Sequence, residues 1–70
     1  MTVVIEQKEV NGYSIAIEIH KFAKCFYVSA YPIIGEGMSG YPITSLPYST
    51  MEKAKRRFNT LCNKAKRNEL

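Results

Sequence analysis

An α+β layer pair, three or four antiparallel strands in a meander packed on one C-terminal α-helix, is the fold this 70-residue sequence predicts. Three observations predict it. Apolar and polar residues alternate through much of the first half, Asn11-Gly12 is a hairpin turn signal, and from Ser49 onward the apolar residues recur with the period of a helix.

The second strand has the clearest pattern. Tyr13, Ile15, Ile17 and Ile19 alternate with Ser14, Ala16, Glu18 and His20, which predicts a strand over 13–20 with one buried and one wet face. A first strand over 2–9 joins it through Asn11-Gly12, two residues that tolerate positive φ. A two-residue loop would place Glu6 and Lys8 on the isoleucine face. Burial therefore favours a three-residue loop, Val10 to Gly12 with Gly12 left-handed in a bulge, which pairs Ile5 with Ile17 and Val3 with Ile19. A third strand over 25–33, reached by a loop at Lys21 to Lys24, sets Phe26, Val28 and Ala30 beside Ile19, Ile17 and Ile15. Gly35, Gly37 and Gly40, with Glu36, Met38 and Ser39, read as a flexible connection. A phosphate cradle would lead into a helix N-terminus, and this segment leads to another strand. That strand, over 41–46, belongs at an edge because Pro42 and Pro47 withhold backbone donors.

Ser49-Thr50-Met51-Glu52 fits a capping box, with the Ser49 hydroxyl accepting a backbone N–H and Glu52 reaching back. The helix is expected over about 50–68, uninterrupted by proline or glycine. At about 100° per residue, Met51, Ala54, Phe58, Leu61, Cys62 and Ala65 form one apolar stripe. Phe58 and Leu61 are expected against Ile15, Ile17 and Val28. Lys53, Arg56, Arg57, Lys64 and Arg67 gather opposite, where they are expected to stay in water, clear of the strands.

Composition limits the functions open to such a chain. Its length suits a single small domain, 1–70, near the lower size at which one core offsets chain entropy, so pairing with itself or with another protein is an expected option. Cys25 and Cys62 match neither a zinc-ribbon nor a redox spacing, and both are expected as free thiols. His20 has no ligand pattern around it, and no nucleophile, base and oxyanion donor assemble, so no metal, cofactor, small-molecule substrate or catalytic residue is expected. A secretory signal and a bilayer-length apolar run are both lacking, which predicts a cytoplasmic protein without a membrane partner.

Charge is the feature that points to a partner. Residues 1–48 hold three lysines against four glutamates, net −1, whereas residues 49–70 hold seven bases against two glutamates, net +5. Four of those bases fall in the first two helical turns, where cations oppose the positive end of the helix dipole, so stability alone does not explain them. The stripe Lys53, Arg56, Arg57, Lys64 and Arg67 is thus the candidate polyanion-binding face, with DNA or RNA as the expected partner of a non-enzymatic module. Tyr27 and Tyr31, expected together on the sheet face away from the helix, form the candidate protein-interaction face. Placing Glu6 and Glu18 on that open face, offset by Lys8 alone, makes it poorly suited to phosphate.

Overall fold

The computed structural model describes residues 2–20, 24–35, 37–38 and 41–70. Strands β1 (Thr2–Val10), β2 (Tyr13–His20), β3 (Phe26–Ile34), β4 (Gly37–Met38) and β5 (Thr44–Tyr48) precede the helix α1 (Met51–Lys66). The sheet is antiparallel in the order β1-β2-β3-β5, and β4 adds a two-residue arm to the far end of β3, pairing Ile33 with Met38 and Ile34 with Gly37. The predicted α+β meander is therefore the observed fold. Its edge strand lies a few residues later than 41–46, and Pro47 sits within it opposite Tyr27, which an edge position tolerates. The arm β4 was unforeseen, because two residues are too few for an alternation signal. The predicted loop at Lys21 to Lys24 falls largely on 21–23, outside the described residues, as do Glu36, Ser39 and Gly40 of the glycine-rich connection.

The β2–β3 register is the predicted one: Ile15 faces Ala30, Ile17 faces Val28 and Ile19 faces Phe26. The β1–β2 register is not. Val10 pairs with Tyr13 across a two-residue loop, with Asn11 at φ 48° and Gly12 at φ 85°. Positive φ at both central residues matches the twist of the flanking strands, so the turn needs no extra residue. The irregularity lies mid-strand instead. Between Val4 and Glu6 the register shifts, leaving Ile5 as the surplus residue, and this restores Val3 opposite Ile19 while setting Glu6 opposite Ile17 and Lys8 opposite Ile15. Glu6 and Lys8 therefore share the helix-side face that burial seemed to deny them. An edge strand permits this, because long side chains there run past the helix to water. Glu6 does so within 3.6 Å of the Lys55 ammonium.

Helix α1 packs over β2 and β3, with its sides reaching β1 and β5. Val10, Ile15, Ile17, Val28 and Ala30 from the sheet meet Ala54, Phe58, Leu61, Cys62 and Ala65 from the helix in one buried cluster, and Tyr13, Phe26, Tyr48, Met51 and Leu70 border it. The expected apolar stripe is thus the core. Its N-cap is Thr50, one residue later than predicted: the Thr50 hydroxyl accepts the Lys53 N–H at 3.3 Å, and the Glu52 carboxylate takes Arg56 instead of turning back. At the other end Asn68, at φ 56°, stops the helix short of residue 68. The Asn68 N–H donates to the Ala65 carbonyl and the Glu69 N–H to the Lys64 carbonyl, the paired bonds of a Schellman ending. The Asn11 side-chain amide also donates to the Ala65 carbonyl, at 2.9 Å, and so ties the β1–β2 turn to the end of α1.

Candidate polyanion interface

The pitch of α1 divides its bases into three groups. Lys55 and Lys66 lie on the flank towards β1, where Lys55 meets Glu6. Arg56 and Arg67 occupy the outward crest, and each is already engaged: Arg56 Nη2 lies 3.1 Å from Glu52 Oε1, and Arg67 Nε bonds the Glu69 carboxylate. Lys53, Arg57 and Lys64 form the third group, a column on the shoulder opposite Lys55 and therefore on the β5 side of the sheet. The column is about 16 Å long at 1.5 Å per residue. Among the described residues none of its three members has a carboxylate within ion-pair distance.

The shoulder differs from expectation in one respect. Lys53 is exposed, but Arg57 and Lys64 are half-buried rather than clear of the protein. Helical phase explains this: Arg57 sits next to Phe58 and about 80° from the middle of the apolar stripe, so its methylene stem lies along the side of the core. Its Nε is buried and has no hydrogen-bond partner among the described residues. A guanidinium has five donors and no acceptor, and an unsatisfied buried donor is destabilising by roughly 1 to 3 kcal/mol. Arg57 is thus held with part of its hydrogen-bonding capacity unused.

Tyr27 and Tyr31 do share the face away from α1, since Val28 and Ala30 between them point into the core. That face is not the wet one expected. Ser14, Ala16, Glu18 and Ser29 are all buried, although among the described residues no second layer of helix or strand lies over them. They are small or tied down: Gln7 donates to the Ser14 hydroxyl at 2.6 Å, the Ser29 and Ser45 hydroxyls bond at 2.9 Å, and the Tyr31 hydroxyl donates to Glu18 Oε1 at 3.0 Å. Burial first, then the Glu18 hydrogen bond and charge, push the Tyr31 phenol above its ordinary 10.0, against a smaller opposing bond from Ser29. Tyr27 is pushed up as well, chiefly by a hydrogen bond with Cys25 and then by the charge of that thiol. The face thus carries a buried carboxylate and a floor of satisfied hydroxyls, and Glu6 and Lys8 are absent from it, contrary to expectation. Its closure was illegible beforehand because serine and alanine at alternate positions read as polar or neutral, whatever the size of the residues beside them.

Both cysteines are free thiols. Burial raises Cys62 above its ordinary range, with Lys8 and Lys66 pulling it down and Glu6 pushing it up. The side chain of His20 lies outside the described residues. Among the described residues no three His, Cys, Asp or Glu side chains gather as a metal site, and no helix is long and apolar enough to cross a membrane. No protein family, curated protein or solved structure matches the chain, so the reading of the site rests on its own residues.

Proposed function

We propose that this chain is a non-enzymatic nucleic-acid-binding module, which seats a phosphate backbone along the Lys53, Arg57 and Lys64 shoulder of α1. The observation that carries the reading is the column itself, three bases, Lys53, Arg57 and Lys64, on one shoulder without carboxylate partners among the described residues. Phosphate supplies the countercharge that this shoulder lacks, although the buried Arg57 Nε is within its reach only when the side chain swings outward. The crest arginines, Arg56 and Arg67, join by exchanging a surface carboxylate for phosphate, a substitution that costs little because exposed ion pairs are weak. Contacts of this kind fix position on a backbone and read little sequence.

Salt dependence tests it. The three shoulder bases, counted without the crest pair, predict a slope of log K against log salt of about −2.7 on duplex DNA and about −2 on a single strand. For the duplex that is about a 40-fold loss of affinity between about 50 mM and about 200 mM salt. Arg57→Glu with Lys64→Glu should abolish most of the binding and flatten the slope. No binding to either form at low salt, or binding indifferent to the double reversal, refutes the proposal.

A second reading is favoured by a different surface. Val3, Val4 and Ile5 are 56%, 49% and 42% exposed on β1, whose outer edge pairs with no strand among the described residues. A second copy of the chain, adding its own β1 across a two-fold axis, would cover them as antiparallel neighbours. Mass in solution across a range of concentrations decides it, since a monomer at high concentration excludes the homodimer.

A further inference from the structure

The turn between β1 and β2 carries chemistry that the binding reading does not use. Asn11 is followed by glycine and is exposed; Asn59, Asn63 and Asn68 are followed by threonine, lysine and glutamate. An ideal Cβ built on Gly12 would meet nothing within 4 Å, so the residue after Asn11 is open on its side-chain side. In a two-residue turn of this kind the closing hydrogen bonds join Val10 and Tyr13, which leaves the Gly12 nitrogen outside the ladder. The Asn11 amide is meanwhile committed to the Ala65 carbonyl at 2.9 Å, at the negative end of the α1 dipole.

We propose that Asn11 is a site of spontaneous deamidation that irreversibly releases the C-terminal end of α1 from the β1–β2 turn. The Gly12 nitrogen attacks Asn11 Cγ, a C–N bond forms to give a five-membered succinimide, and Nδ2 leaves as ammonia carrying the proton lost by Gly12. Water then opens the ring, giving aspartate or, through the other carbonyl, isoaspartate. The net change is one water taken up and one ammonia released, with no redox step. Either product replaces a donor with a carboxylate. That carboxylate gives no hydrogen bond to the Ala65 carbonyl and is repelled by it and by the helix dipole, while isoaspartate also lengthens the turn by a methylene. The contact that the reaction destroys also guards against it, because the amide bound to Ala65 is held away from the Gly12 nitrogen.

The test is to age the full chain in warm, mildly alkaline buffer, with and without an unfolding concentration of urea, and to map the mass gain by peptide analysis. Asn11 is expected to convert ahead of Asn59, Asn63 and Asn68, and several-fold more slowly in the folded chain than in urea. The aged product should melt about 4 to 8 °C lower, and its Asn68 and Glu69 amides, which close the helix end, should exchange faster. Asn11→Asp should reproduce both changes, and should that variant fail to fold, the aged mixture supplies the same readouts. Equal rates in the folded and unfolded chain, earlier conversion of another asparagine, or an aged product with unchanged melting and exchange would each overturn the proposal.

Discussion

Replacing Phe58 by alanine tests whether α1 is held by its apolar stripe. Phe58 is 4% exposed and shares the core with Ile15, Ile17, Val28, Leu61 and Ala65. Truncation removes a ring from a site walled by the sheet on one side and by helix neighbours on the other, so little can collapse into the space, and about 3 to 5 kcal/mol is the expected loss. A chain of this length has a total stability of about 3.5 to 10 kcal/mol at typical values per residue. The variant should therefore be close to its unfolding threshold or past it. Urea unfolding followed by far-UV circular dichroism, with the slope held against the parent, reads the difference. If Phe58→Ala proves fully unfolded, Ile17→Val probes the same contact from the sheet, with an expected loss of about 0.5 to 1.5 kcal/mol. A loss below about 1 kcal/mol for Phe58→Ala would falsify the docking of α1 through this stripe.

Three further outcomes follow from the same geometry. Thr50→Ala should destabilise the chain by about 0.5 to 2 kcal/mol in urea unfolding, whereas Ser49→Ala should change it little, because the Thr50 hydroxyl is the one that accepts the Lys53 N–H. The folded chain holds the Tyr31 proton more tightly than the unfolded chain, so its share of stability is complete below pH 10.0 and is lost as pH rises through the higher folded value. Tyr31→Phe should accordingly flatten the alkaline side of a stability profile, leaving the Tyr27 share in place. Glu6→Gln should shift stability by less than about 1 kcal/mol in the same unfolding assay, since its ion pair with Lys55 is solvent-exposed.

The parts of this fold that were legible in the sequence are those where a periodic pattern meets a continuous apolar surface. Ile15, Ile17 and Ile19 set the face of β2, Phe26, Val28 and Ala30 set that of β3, and a one-residue slip would have turned either row to water. β1 carried no such constraint. Among the described residues only one of its flanks is paired, and its charged residues reach solvent, so the surplus residue was free to sit at Ile5 instead of in the turn. The cap was misplaced by one residue because Ser49 and Thr50 offer the same chemistry, and only backbone geometry chooses between them. At the candidate site, helical period set all five bases off the apolar stripe, but residue type alone did not separate the carboxylate-bound crest of Arg56 and Arg67 from the shoulder of Lys53, Arg57 and Lys64.

That separation links binding to stability. Because Arg57 lies against the flank of the core and the crest arginines do not, an anion that engages Arg57 should resist unfolding of α1 as well as gain electrostatic contact. A ligand held only by the folded chain adds about 2.7 kcal/mol at one hundred times its dissociation constant, which at this chain length is a rise of about 11 to 22 °C in melting temperature. Unfolding scatters the column, so the rise should be present with saturating oligonucleotide at low salt and should fade as salt weakens the affinity. Neutralising the crest with Arg56→Gln and Arg67→Gln should leave most of the rise, while Arg57→Gln should remove most of it. Were the crest pair to matter more than Arg57, the shoulder would be a solvated flank and the interface would lie on the outer face of the helix.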